Sequence, residues 1–127
     1  MINIYPLLIL IVGGAIGTIM RFLIFQLADK YLNQTLPWGT LLVNLIGSFL
    51  IGLLWSSFEK ASIVPAVRMF LFIGVLGSFT TFSTFAFDNL NLAQEGAFRL
   101  MTINILLNNV LGIGLCFFGY YLIKVVA

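Results

Sequence analysis

The densest run of chemically capable residues reads Gly77-Ser78-Phe79-Thr80-Thr81-Phe82-Ser83-Thr84-Phe85. Five hydroxyls, one glycine and three phenylalanines fall within nine residues of an apolar segment. Such a run is poor helix, because threonine is stiff at its β-carbon and hydroxyls compete for backbone hydrogen bonds. An interruption there frees carbonyls from the first half of the helix and N–H groups from the second. Lipid tolerates such a break only where protein or a polar cavity covers it, and breaks of this kind commonly form ion sites. Carbonyls suit a hard cation; N–H groups and hydroxyls suit an anion. The alternative is a continuous helix whose Ser and Thr bond back to their own backbone. Phe82 and Phe85 are three apart and share a face. A phenyl ring has an electropositive edge, so rings interleaved with Ser83 and Thr84 offer weak coordination for a small anion that must leave again.

Other polar and small residues repeat at helical spacing. Gly13, Gly17 and Arg21 are four apart, as are Asn44, Ser48 and Gly52, and Asn104, Asn108 and Gly112. Positions four apart lie on one face. Small residues let backbones approach and asparagines hydrogen-bond between helices. Packing accounts for the glycines, whereas three asparagines in these stripes favour a polar pathway. Arg21 lies about 24 Å along a helix from Tyr5, near an interface. It is read either as a snorkelling anchor or as part of a cationic vestibule that concentrates anions. Asp88 closes the third apolar run near the interface, where it reads as a solvated carboxylate.

The elements that must position these groups follow from composition. The 127 residues are 61% hydrophobic and only 8% charged, against about 25% charged in soluble domains. Ten charges cannot coat a water-facing surface, so the chain is an integral membrane protein of one domain, residues 1–127. A span needs about 20 apolar residues, and four segments qualify: residues 5–28, 38–58, 67–90 and 98–126. The fold class is therefore all-α, with four transmembrane helices per subunit and the third broken near the midplane. Alternating apolar and polar residues, the mark of a membrane β-barrel, are not seen. The net charge of +2 comes without a basic cluster, which leaves no footprint for nucleic acid. The lone Cys116 excludes a disulfide framework or a CxxC motif. With no histidine and four acids, there is no general acid–base constellation and no enzyme.

Four spans place both termini and the second connection on one side. That side carries Lys60, Arg68 and Lys124, and the other carries Arg21, Lys30 and Arg99. Lys/Arg asymmetry normally sets orientation, and here it is balanced. Either the charges are too few to count, or copies insert both ways and pair antiparallel. Four short helices alone would hardly enclose a polar pathway, so an oligomer is expected.

The strings GGAIGTIMRF (residues 13–22), PWGTLLVNLIGSFLIG (37–52) and GVLGSFTTFSTF (74–85) resemble the Fluc, or CrcB, fluoride channel family, in the same order and spacing along nearly the whole chain. The resemblance implies an antiparallel, dual-topology homodimer in the bacterial inner membrane. Two fluoride pores would run along the dimer interface and let fluoride leave the cell, relieving its toxicity. By motif, Gly77 and Thr80 would lend backbone carbonyls to a structural sodium ion at the dimer centre. Phe82 and Phe85 would line the pores, joined by Asn44, Ser83 and Thr84; Arg21 would stand near the entrance. Asn104 and Asn108 fall where the family has polar residues. Asp88 stands where the family commonly has Glu, which keeps the charge and shortens its reach. The implied partners are fluoride, the lipid bilayer and a second copy; sodium is the implied ion cofactor. A proton-coupled exporter of cationic drugs would need a carboxylate deep in the first span, where only Arg21 is charged. A scaffold subunit would use the stripes for packing alone.

Overall fold

The computed structural model describes residues 3–126; residues 1, 2 and 127 of the expected domain, and the side chain of Lys60 from the charge tally, lie outside the described residues. Among the described residues there are four helices long and apolar enough to cross a membrane: α1 (Ile4–Tyr31), α2 (Trp38–Lys60), α3 (Pro65–Gln94) and α4 (Phe98–Val126). No strand occurs among the described residues. The chain is a multi-pass membrane protein.

The ends of the helices have local causes. Asn3 caps α1, its side chain accepting the Tyr5 N–H at 3.1 Å and satisfying one of the free donors of the first turn. The helix then runs three residues beyond the expected end at Ala28, to Tyr31. Asp29-Lys30-Tyr31 continues it, and a cation in the last turn favours the negative end of the helix dipole. Pro65 opens α3, where its missing N–H costs little. Gly96, with φ +72°, closes the same helix. The Ala97 N–H bonds the Leu92 carbonyl at 2.8 Å and the Gly96 N–H bonds Ala93 at 3.0 Å, the paired bonds of a Schellman stop. At the other end of the bundle, Arg68 Nη2 donates to the Phe58 carbonyl at 3.0 Å, closing the C-terminal turn of α2 while its guanidinium lies 5.7 Å from the Trp55 ring centroid.

Glycine lets the helices meet closely. A Cβ on Gly17 would run into the Val75 carbonyl and Ser78 Oγ, and one on Gly13 would come within 3.0 Å of the Gly74 Cα. The small stripe of α1 therefore faces the first part of α3. Gly52 and Gly119 do the same between α2 and α4, where added methyls would strike the Cys116 and Phe49 carbonyls. Such backbone proximity is how helices associate when lipid is as apolar as leucine.

The interior is small and partly polar. Phe79, Val43, Asn104, Thr40 and Ser56 are its largest fully buried side chains, while Leu, Ile, Val and Phe along α1 and the outer face of α4 are exposed. This is the reverse of a soluble fold and requires lipid or another subunit around it.

Helix α3 is not uniform. Met69–Leu76 is wound in wide π-type turns and Gly77–Phe79 returns to α-helix. Thr80 (φ −82°, ψ 157°) and Thr81 (φ −150°, ψ 118°) are extended, and Phe82–Gln94 resumes the helix. A second π-type stretch, Leu107–Leu111, lies within α4 and contains Asn108. Such turns are rare and concentrate at functional sites.

Candidate functional site

Of the two extended residues in α3, Thr81 is held by one side chain from α2. Asn44 Oδ1 accepts the Thr81 N–H at 2.9 Å, and Asn44 Nδ2 donates to the Thr81 carbonyl at 3.1 Å. A second bond from Asn44 Nδ2 reaches Asn108 Oδ1 on α4 at 3.0 Å. Thr81 then caps the following helix, its Oγ1 accepting the Thr84 N–H at 3.2 Å and donating to Thr84 Oγ1 at 3.0 Å. The backbone departs from helix here because side chains replace its partners.

That replacement has a direct consequence for two carbonyls. In a continuous helix the Thr81 N–H would serve Gly77 and the Thr84 N–H would serve Thr80. Here both donors are diverted, one to Asn44 and the other to Thr81 Oγ1. Gly77 and Thr80 both line the same groove, and carbonyls without a helical donor are hard oxygen ligands of the kind that suits a small cation.

The groove has a volume of about 330 Å³ and lies between α2, α3 and α4. Asn44, Gly77, Thr80, Phe82, Phe85 and Asn108, all singled out in the sequence, share its wall. The two rings are unequal: Phe82 is 77% exposed and Phe85 is 8% exposed. Their centroids are 5.5 Å apart with planes inclined by 52°, so both cannot present the same aspect to the groove. Ser83 is exposed, with Oγ 3.4 Å from Thr81 Oγ1. Thr84 is part-buried and leaves its own hydroxyl proton unassigned to any neighbour in this set.

The amides are mostly engaged with one another. Asn44 has placed both N–H donors, on Thr81 and Asn108. Asn108 donates to Asn104 Oδ1 at 3.0 Å and to the Asn104 carbonyl at 3.1 Å. Of the threonine hydroxyls on the groove, Thr80 Oγ1 donates to the Leu76 carbonyl and Thr81 Oγ1 to Thr84 Oγ1, while Ser83 and Thr84 lie outside its lining. Asn104 is fully buried and stands behind the groove wall, and Arg21, part-exposed on α1, lies outside the lining of the groove as well.

A second, more polar cavity of about 480 Å³ sits at the end formed by the α1–α2 connection and the C-terminal turns of α3. Asp88 projects into its wall and accepts from Thr40 Oγ1 at 2.6 Å. Asp29 and Glu95 add two further carboxylates. Sequence reasoning did not single out Thr40 or Thr81 for these roles, nor Asn89, which accepts from Asn104 Nδ2 at 3.1 Å. Thr81, Phe85 and Asn89 are four apart in the sequence, and that stripe was the available signal.

The family described as CrcB-like protein, Camphor Resistance (CrcB), matches residues 8–120. A protein of Vibrio campbellii named fluoride-specific ion channel FluC is 45% identical over 112 residues, covering 87% of this chain and 88% of its own. Proteins of the same name from Parabacteroides distasonis and Campylobacter jejuni are 42% and 41% identical, covering 91% and 93% of this chain and 91% and 97% of theirs. These relatives are ion channels and not enzymes. With a family match along most of its length and relatives at these identities, the chain belongs to the CrcB family of fluoride-specific ion channels.

Proposed function

We propose that this protein lets fluoride pass out of the bacterial cell, down its gradient, across the inner membrane. It works as an antiparallel homodimer of dual topology, with two pores and a structural sodium ion at the dimer centre. The observation that carries the reading is the clamp of Asn44 on Thr81. It interrupts α3, taken here to lie near the midplane, beside a groove that holds both Phe82 and Phe85.

Each part of the break has a task. The Gly77 and Thr80 carbonyls, released from their helical partners, supply two oxygens from each subunit to sodium, and the ion in turn fixes the two subunits against each other. Phe82 extends from the groove, where the second copy covers it. Ring edges of Phe82 and Phe85 meet the anion with the hydroxyls of Ser83 and Thr84. Such contacts replace water weakly enough for the ion to leave again, as conduction requires. Asn44 and Asn108 line the path and keep its shape through their bonds to the backbone and to each other. Arg21 joins the vestibule only once the second subunit is in place. The many exposed apolar side chains face lipid and the partner copy, and the balanced Lys/Arg tally permits insertion in both directions.

Fluoride and chloride electrodes on vesicles reconstituted with the purified protein test the reading. Loss of fluoride while chloride stays inside supports it; retention of both by well-folded protein overturns it.

A further inference from the structure

The asparagines of α2, α3 and α4 form one directed chain. The Thr81 N–H donates to Asn44 Oδ1, Asn44 Nδ2 to Asn108 Oδ1, and Asn108 Nδ2 to Asn104 Oδ1, at 2.9, 3.0 and 3.0 Å. Asn104 Nδ2 then donates to Asn89 Oδ1 at 3.1 Å, and Asn89 Nδ2 to the Phe85 carbonyl at 2.8 Å. The chain starts at Thr81 and ends at Phe85, one helical turn apart on the same segment. Every amide oxygen accepts from the amide before it, so the bonds polarise one another in a single direction.

We infer that Asn89 and Asn104 are positioning residues for the ion path: they tie the turn that carries Phe85 to α4 and never touch the ion. The inference rests on the fluoride reading above. Asn104 is 0% exposed, and neither it nor Asn89 lines the groove. Phe85, by contrast, is part of the groove wall. A polar residue that shaped the path by contact would face the groove. These two instead face each other behind it, and each satisfies a group that burial would otherwise orphan. Helix packing alone does not ask for buried amides, because apolar side chains fill the same volume without a polar group to satisfy. What the chain adds is a fixed geometry at Thr81 and Phe85, one residue before Phe82 and three after it.

The test is fluoride and chloride efflux from vesicles holding the wild type, Asn89→Leu, Asn89→Gln, Asn104→Leu or the double leucine variant, per unit of folded protein by gel filtration. Asn89→Leu and Asn104→Leu are each expected to cut fluoride flux per folded channel about tenfold, through an orphaned buried amide. Asn89→Gln keeps both an oxygen to accept from Asn104 and an N–H to donate to the Phe85 carbonyl, and is expected to stay within about threefold of the wild type. The double variant is expected to fall no further than the weaker single, because both changes remove the same contact.

Three patterns overturn the inference. A glutamine that suppresses flux as much as leucine would mean that the hydrogen bonds of Asn89 are not what hold Phe85. A multiplicative loss in the double variant would mean two independent contacts. Unchanged flux throughout would leave packing as the only role. If the leucine variants do not assemble, Asn89→Gln decides alone, and a loss beyond about tenfold in folded protein overturns the inference. A wild type that moves no fluoride removes the fluoride reading and this inference with it; a conducting wild type with any of the contrary patterns removes the inference only.

Discussion

The Asn44 side chain occupies both backbone hydrogen-bonding groups of Thr81, accepting its N–H at 2.9 Å and donating to its carbonyl at 3.1 Å. One amide thereby stands in for two backbone partners at the point where α3 is extended. The sequence places Asn44 and Thr81 thirty-seven positions apart, so the interruption is a tertiary feature as much as a local one. The run of hydroxyls weakens the helix; the asparagine on the neighbouring helix makes its departure affordable.

Replacing Asn44 by leucine leaves both Thr81 groups without that partner. The expected loss is about 1–3 kcal/mol for each buried group left unpaired. Chemical unfolding of the protein in detergent reads it, and an unchanged midpoint would contradict the clamp.

Close helix contact predicts a contrast between two glycines. Gly17→Ala sets a methyl against the Val75 carbonyl, where backbone cannot yield, and is expected to destabilise by about 1–3 kcal/mol. Gly112→Ala meets nothing nearer than Ser48 Oγ at 3.6 Å and is expected to stay within about 0.5 kcal/mol of the original. Thermal unfolding in detergent separates the two, and equal shifts would contradict the packing described.

The proposed sodium site uses the Gly77 and Thr80 carbonyls and not the Thr80 hydroxyl, which donates to the Leu76 carbonyl at 2.9 Å. Protein exchanged into sodium-free buffer is expected to lose most of its fluoride flux and to regain it when sodium returns. Thr80→Val is expected to keep that sodium response. Flux indifferent to sodium would remove the ion from the account.

Dual topology predicts a labelling pattern. Ser62 is exposed in the α2–α3 connection, and in a Cys116→Ser background Ser62→Cys gives a single reporter. With balanced Lys/Arg on the two sides, a membrane-impermeant maleimide is expected to reach about half of the copies from either face of the membrane. Labelling from one face only would mean one orientation.

The four spans were legible because apolar runs of sufficient length leave few alternatives in a 127-residue chain. The glycine stripe of α1 was legible as well, since only small residues permit the approach of Gly13 to Gly74. Within the groove, Asn44, Phe82, Phe85 and Asn108 were visible as polar or aromatic intrusions at helical spacing. The π-type turns at Met69–Leu76 and Leu107–Leu111 were not, because they follow from how α3 and α4 seat on their neighbours and leave no periodic mark. Asn89 escaped notice for a related reason. It lies near the polar end of α3, where an asparagine reads as an interfacial residue until Asn104 is seen donating to it. The last turn of α1 was cut short because Asp29 and Lys30 read as connection, although charged residues are common at helix ends.

The most direct test of the account compares the wild type with Phe82→Ile in vesicles loaded with fluoride and chloride. Phe82 is 77% exposed on the groove in the single chain, so its loss should spare the fold and remove a ring edge from the path. The account predicts rapid fluoride loss without chloride loss for the wild type, and its abolition in the variant with the protein still folded. Fluoride flux that is undiminished in Phe82→Ile would contradict a pathway past this ring.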